Sequence, residues 1–434
     1  MSRRISQETF DAVVRESMVD FGLSREEALR DALAQLLSQG VDLSGIDTTG
    51  GEGLEELESL WTQVRASGDG PAKADALRRL QQLCSDSDPN GVRNQHILRS
   101  RGWLNDLLAM LEEDTQVVEV LLLLQTLVRQ STELRDMFEP RGADRLVGLL
   151  RRLLPPEASR SESLEACFKL ASAAAKSEFN KSSLFKQGLG GLILEVLKVN
   201  DESLPGLTRS VCHAMTALST HDDFRSEISC AMDNGKFFLN GGAVPLLLGI
   251  VSRFKQSPSE ASAALSACKQ LILTEEAVQI VALHGGMELP RKILSESDAD
   301  PELVRSVLGL ARNMCADDNR KNQLASDGTL ELIVRAIDSE PYLHDSSLVE
   351  NGIACLAAMS LRFPANSFKI VNCGAINVVV AGMERHASRP VLNRQACIFY
   401  SKISRNALYS DRSSDSKYCG PMSRIAFANS GCRG

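Results

Sequence analysis

A short phrase that begins with glycine recurs through the middle of this 434-residue chain. Each glycine precedes a small or apolar residue and a leucine-rich run, and successive glycines lie 40, 46, 54, 44, 42 and 46 residues apart. The glycines are Gly102, Gly142, Gly188, Gly242, Gly286, Gly328 and Gly374. Periods of this length are typical of helical repeat proteins, in which each repeat packs on its neighbours instead of around one central core. The period therefore predicts an all-α solenoid over residues 94–406.

Prolines mark the same period at a second position. They follow each leucine-rich run, and in Ser257-Pro258 and Asp300-Pro301 a residue that favours helix N-caps comes directly before the proline. The series comprises Pro155-Pro156, Pro205, Pro258, Pro301, Pro341 and Pro390. Proline is favoured at the first position of a helix, where its missing N–H is not needed. We therefore expect a long helix to begin at or shortly after each of these prolines.

The two ends of the chain differ from the repeats. Apolar residues recur at helical spacing from Gln7 to Phe21 and again after Ser24, which forms a capping-box pattern with Glu27, and Gly40 is expected to end the second helix. Residues 1–46 are therefore predicted to form a helical hairpin. Residues 47–93 are predicted to be a linker with capping helices, and residues 407–434 an irregular polar tail that leaves the last repeat without a polar cap.

Cysteine content and charge exclude several classes of protein. The chain has eleven cysteines but no CxxC pair, no Cys/His spacing typical of a metal site and no apparent secretory leader, which predicts a reducing compartment, the cytosol and also the nucleus. No apolar run is long enough to span a bilayer. The net charge of −8 argues against general nucleic-acid affinity. We find no motif for a catalytic, metal or cofactor site.

The dipeptide Ala-Cys recurs once in several of the long helices. The four instances are Ala166-Cys167, Ala267-Cys268, Ala354-Cys355 and Ala396-Cys397. A redox or metal ladder would be one interpretation. We favour the other, that small, easily buried residues fill a close contact between neighbouring helices.

Two segments resemble known families. Phe238-Leu239-Asn240-Gly241-Gly242-Ala243-Val244-Pro245-Leu246-Leu247 is similar to the armadillo repeat, and Val371-Asn372-Cys373-Gly374-Ala375-Ile376 has the same pattern. The start, Ile5-Ser6-Gln7-Glu8-Thr9-Phe10-Asp11-Ala12, together with Ser38 to Ser44, resembles the armadillo-repeat-containing protein 6 family. The resemblance implies a right-handed solenoid whose repeats have one short and two longer helices, a cytosolic protein, and a loose association with haematopoietic progenitor differentiation. It implies no settled biochemical activity.

The long helices carry the candidate site, because equivalent helices of a solenoid line one extended concave groove. The candidate residues are Lys169, Arg209, Lys269, Arg305, Arg312, Asn313 and Arg362. They predict a non-enzymatic scaffold that binds an extended or helical acidic segment of another protein.

Three alternatives stay open for these residues and for the chain. The cations could simply solvate an outer helical face, or they could bind nucleic acid, which the acidic net charge disfavours. The chain could instead be a regulatory or co-chaperone-like adaptor that docks through the N-terminal hairpin.

Overall fold

The chain divides into two compact units. The structure, a computed structural model, describes residues 3–39, 41–42, 46, 52–66, 70–113, 116–139, 141–199, 204–296 and 298–412. The first unit comprises Met1–Leu192 and His221–Cys230, and the second comprises Ile193–Thr220 and Ala231–Gly434. Each unit is built from helices, so the predicted all-α class is confirmed.

An N-terminal hairpin opens the first unit. Its helices are α1 (Gln7–Phe21) and α2 (Arg25–Ser38), and a two-residue parallel pair joins β1 (Arg3–Arg4) to β2 (Val41–Asp42). The predicted capping box is present, since the Ser24 N–H donates to Glu27 Oε2 at 3.1 Å and the Glu27 N–H donates to Ser24 Oγ at 3.3 Å. The hairpin has its own apolar core, which includes Phe10, Ala28 and Leu36. The prediction that Gly40 ends the second helix concerns a residue outside the described ranges.

The rest of the first unit consists of helices joined by short turns. They are α3 (Glu52–Ala66), α4 (Pro71–Leu83), α5 (Gly91–Ser100), α6 (Trp103–Met110), α7 (Val117–Gln130), α8 (Thr132–Asp136), α9 (Arg141–Leu153), α10 (Ser161–Ala174) and α11 (Glu178–Lys186), and α12 (Leu189–Val199) crosses into the second unit. The rings of Trp61 and Trp103 stack with centroids 4.6 Å apart and join α3 to α6. The long helices α4, α7 and α10 pack side by side.

The second unit repeats a pattern of three helices. They are α13 (Pro205–Leu218), α14 (Ala231–Asn240), α15 (Ala243–Val251), α16 (Pro258–Leu271), α17 (Glu275–Leu283), α18 (Leu289–Ser295), α19 (Pro301–Met314), α20 (Asp318–Leu324), α21 (Thr329–Asp338), α22 (Ser346–Ser360), α23 (Pro364–Asn372), α24 (Ala375–Arg385) and α25 (Pro390–Arg412). The third helices of successive repeats, α13, α16, α19, α22 and α25, pack each against the next. The last helix continues six residues past the predicted end of the array, and residues 413–434 lie outside the described ranges.

The repeated glycines form turns inside the repeats. Gly242 has φ 78°, a left-handed conformation that L side chains rarely adopt, and it joins the short α14 to α15. The same holds for Gly102, Gly188, Gly328 and Gly374. Two of the predicted turn glycines differ: Gly285 takes the left-handed position in place of Gly286, and Gly142 lies in α9, packed on Phe138. The glycine turn therefore separates the first and second helices of a repeat, and the repeats themselves are joined elsewhere.

The prolines begin long helices as expected. Pro205, Pro258, Pro301 and Pro390 each occupy the first residue of a long helix. Asp300 caps α19, since its Oδ1 accepts from the Glu302 N–H at 2.9 Å. Ser257 also occupies the N-cap position, before α16, but its side chain makes no capping hydrogen bond.

The cysteines of the long helices fill the core. Cys167, Cys268 and Cys355 have no exposed surface, and burial raises the pKa of the Cys268 thiol to about 12, which keeps it protonated. The space-filling interpretation is confirmed for these three positions. Cys397 is exposed instead, because α25 has no following long helix to pack against within the described residues.

Asparagine side chains on four of the short helices cap the C-terminal ends of the long helices that precede them. In each case the side-chain amide donates to a carbonyl in the last turn of the preceding long helix, where carbonyls have no partner within the helix. The bonds are Asn94 to Leu83 O (2.6 Å), Asn180 to Ala174 O (3.3 Å), Asn234 to Leu218 O (2.9 Å) and Asn366 to Met359 O (3.1 Å). At these four junctions an asparagine therefore joins the long helix of one repeat to the short helix that follows it.

Candidate partner-binding surface

Side-chain amides link neighbouring long helices of the second unit. Asn313 Nδ2 on α19 donates to Lys269 O on α16 at 3.0 Å, and Asn351 Nδ2 on α22 donates to Arg305 O on α19 at 3.3 Å. All four residues are partly or fully exposed to solvent. These bonds place them along one surface. We call it the long-helix face and define it by Lys269, Arg305, Arg312, Asn313, Asn351, Ala358 and Lys402.

Asn313 was predicted to bind the main chain of a partner. One N–H of its amide is already engaged with Lys269 O, so Asn313 has a structural role between two helices. The second N–H and the carbonyl oxygen remain the groups that could reach a ligand.

Three of the predicted cations are paired within the molecule. The pairs are Lys169 with Glu165 at 2.6 Å, Arg209 with Ser259 at 3.2 Å and Arg305 with Asp345 at 3.1 Å. Burial acts to raise the pKa of Asp345, but hydrogen bonds from Arg305 and from two backbone N–H groups outweigh it and hold that pKa below its ordinary value. The guanidinium of Arg305 is thus committed to an ionised carboxylate. Lys169 lies in the first unit and the other candidates lie in the second.

Arg362 is not on a long helix. It lies in the turn between α22 and α23 with φ 63° and is exposed. The helix ends at Ser360, and Pro364 begins α23, so the residues between them must leave the helical conformation. Its predicted placement among the residues of the long helices was wrong.

Three further cations are not paired with a carboxylate in the described residues; two of them were predicted and one was not. Lys269, Arg312 and Lys402 form no ion pair within the described residues. Lys402 Nζ reaches Ala357 O at 3.3 Å, which joins α25 to α22. Lys402 directly precedes the buried Ile403. Its place beside a core residue of a long helix is the feature of the sequence from which Lys402 could have been predicted.

The described residues contain no group of three or more His, Cys, Asp or Glu side chains that could hold a metal ion. Among the helices they form, none combines the length and apolar character needed to cross a membrane.

A second polar cluster lies in the first unit. Lys181 on α11 has no exposed surface and contacts Glu178 Oε2 at 3.1 Å and Asp222 Oδ1 at 3.2 Å. Arg225 contacts Asp223 at 2.8 Å and Asp136 on α8 at 2.8 Å. Residues 221–230, which we call the strap, are therefore bound to α8 and α11 by ionic contacts. Every charged group named here is paired, so the cluster has a structural role.

Known proteins with similar sequence point to one family. Residues 2–57 match the family model described as the armadillo repeat-containing protein 6 N-terminal domain. The human armadillo repeat-containing protein 6 is 26% identical over 391 residues, which cover 85% of this chain and 76% of that protein. The chain is similar to armadillo repeat-containing protein 6 along most of its length. A homolog of that protein from Drosophila melanogaster is 22% identical and covers 86% of this chain and 81% of its own length.

A solved structure supports the fold. The crystal structure of an engineered protein aligns with a TM-score of 0.61 and 16% identity, over 98% of this chain and 99% of that one. At this identity the match concerns the fold alone. The match agrees with the all-α architecture that the helices of this chain form.

Proposed function

We propose that this chain is a non-enzymatic scaffold that binds other proteins through the long-helix face. The observation that carries the proposal is the packing of α16, α19, α22 and α25 in order, which sets half-buried polar and cationic side chains along one surface. Repeat proteins bind extended partners on such surfaces. The unpaired cations Lys269, Arg312 and Lys402 favour a partner segment that is acidic.

We assign this function to the cytosol and also to the nucleus. All nine cysteines within the described residues are free thiols, which supports a reducing compartment. A link to haematopoietic progenitor differentiation stays a prediction from the family resemblance alone.

A steric block tests the proposal without changing charge. Ala358 is half-buried on α22 and follows Asn351 by about two helical turns, so a tryptophan there would stand on the long-helix face. We expect Ala358→Trp to lose protein partners in a quantitative capture from cytosolic extract. Ala381→Trp is the matched control, because Ala381 is a half-buried alanine on α24. Equal partner lists for both variants and the unmodified chain would refute the proposal.

The N-terminal hairpin supports a second candidate function, docking as an adaptor. Val19 and Phe21 at the end of α1 are 81% and 72% exposed, an unusual exposure for large apolar side chains. Deletion of residues 1–46 would then remove partners that Ala358→Trp retains.

A further inference from the structure

Three cations of the second unit lie on the packed series of helices α16, α19, α22 and α25 and form no ion pair within the described residues. We call Lys269 on α16, Arg312 on α19 and Lys402 on α25 the Lys269 cluster. Nearby cations differ, since Arg305 is paired with Asp345 and Lys321 contacts Asp318 at 2.6 Å. No carboxylate within the described residues forms an ion pair with the Lys269 cluster.

A glycine makes room for the first of these cations. A Cβ atom built on Gly309 of α19 would lie 3.0 Å from Lys269 Cδ, 3.8 Å from Lys269 Nζ and 3.8 Å from Asn351 Nδ2. Lys269 Nζ and Asn351 Nδ2 therefore both lie close to Gly309, where the backbone carries no side chain. Both present N–H donors, which suits an anionic ligand.

Small side chains separate this group from the third cation. Lys402 Nζ contacts Ala357 O on α22, and Ala354 and Ala358 lie on the same helix with no charge of their own. Arg312 is exposed on α19, the helix between α16 and α22. Ala358, which follows Ala357 and is half-buried, adds neither bulk nor charge to the surface beside Lys402.

The three cations also affect one another's ionisation. Burial lowers the pKa of Lys269, and the positive charge of Arg312 lowers it further. Burial also lowers the pKa of Lys402, with further contributions from Lys321 and Arg312. Like charges held together without compensation cost folding free energy, and such arrangements cluster at functional sites.

We infer that the Lys269 cluster anchors closely spaced carboxylates of an acidic peptide segment. The inference rests on the proposed function and specifies which residues select the partner. Arg305 takes no direct part, because its charge is paired with Asp345, and Arg209 lies on α13, outside the four helices that carry the long-helix face. A peptide fits better than a nucleic acid, since three cations on one face fall short of the extended basic stripe that a phosphate backbone requires.

Direct binding of defined peptides tests the inference. Fluorescein-labelled octaglutamate and octaglutamine are titrated with the full chain by fluorescence anisotropy at low and at physiological salt. We expect octaglutamate alone to bind, and to bind more weakly as salt rises. Lys269→Gln, Arg312→Gln and Lys402→Gln should each weaken binding about threefold, and the triple variant at least about tenfold.

The control is Arg385→Gln, which removes an exposed cation from α24 and should leave binding unchanged. The triple variant should also unfold at a temperature no lower than the original chain, because like-charge repulsion is relieved. Absence of octaglutamate binding, equal binding of octaglutamine, or a triple variant that binds as before would overturn the inference. So would a cluster-dependent affinity for a single-stranded octanucleotide above that for octaglutamate.

The two proposals can fail separately. If Ala358→Trp loses partners but the triple variant keeps them, the long-helix face binds proteins and the Lys269 cluster does not select them. If the triple variant loses octaglutamate binding while Ala358→Trp keeps every protein partner, the cluster binds acidic segments without the scaffold function proposed for the face.

Discussion

Single asparagines join the repeats of this chain. A buried side-chain amide at the end of a long helix satisfies a carbonyl that would otherwise lose its hydrogen bond to water. Asn366 is 3% exposed and donates both to Met359 O at 3.1 Å and to Asn322 Oδ1 at 3.0 Å. It therefore contributes to stability in a way that an exposed asparagine on the same helix does not.

We expect Asn366→Ala to lower the free energy of unfolding by about 1–3 kcal/mol, because the carbonyl of Met359 is left buried without a donor. Urea denaturation followed by circular dichroism measures the change. Asn372→Ala, at an exposed position of α23, should change stability by less than about 0.5 kcal/mol. Equal effects at the two positions would contradict this role for Asn366.

Sequence reasoning reached some of these residues and missed others. The glycine turns and the Ser24–Glu27 box were predictable because they depend on residues a few positions apart. The partners of Asn313, Arg305 and Lys402 were not, because each lies about 40 residues away on a neighbouring helix. Counting positive charges along the chain could not separate paired from unpaired cations.

The strap is the element that departs most from the repeat pattern. Its insertion before α14 accounts for the longest glycine spacing, which is 54 residues between Gly188 and Gly242. An inserted segment at this point could therefore be predicted from the sequence. Its attachment was not, because Asp136, Lys181 and Arg225 are distant along the chain. The hydrogen bonds from Arg225 hold the pKa of Asp223 well below its usual value, although burial opposes them. Burial likewise acts to raise the pKa of Glu178, and hydrogen bonds from Cys230 and Lys181 outweigh it.

Strap attachment should therefore weaken in acid. Carboxylates with depressed folded-state pKa values contribute their full stabilisation above their unfolded pKa of about 4, and lose it progressively as pH falls from there through the folded pKa. We expect hydrogen exchange of residues 221–230, corrected for intrinsic rate, to be slow at pH 7, to quicken below about pH 4 and to be much faster near pH 2.

In the Asp223→Asn variant, the backbone amides of the strap should exchange quickly at both pH values. Glu227→Gln, which changes an exposed carboxyl of the same segment, should behave as the original chain. Exchange in the original chain that is as slow near pH 2 as at pH 7 would show that apolar contacts, and not the ion pairs, hold the strap.

At the scale of the whole molecule, the period of the sequence was sufficient to predict the helical-repeat fold. A repeated pattern specifies the helices and their order because every repeat meets the same kind of neighbour. The N-terminal hairpin was also recognisable, since its core of Phe10, Ala28, Leu36 and their neighbours comes from residues 10–46 alone.

We expect deletion of residues 1–46 to shift the unfolding temperature of the remaining chain by less than about 2 °C, because the core that it removes is self-contained. Differential scanning calorimetry of the two chains makes the comparison. A decrease of more than about 5 °C would mean that the hairpin stabilises the helices that follow it.

The direction of the hydrogen bonds between long helices has an evolutionary consequence. In the second unit, Asn313, Asn351, Lys402 and Asn406 all donate from a later helix to a backbone carbonyl of an earlier one. A duplicated repeat added after the last helix would bring its own donors, and the acceptors are main-chain groups present in any sequence. These four bonds therefore require no compensating substitution in the earlier repeats when a repeat is added by gene duplication at the carboxyl end.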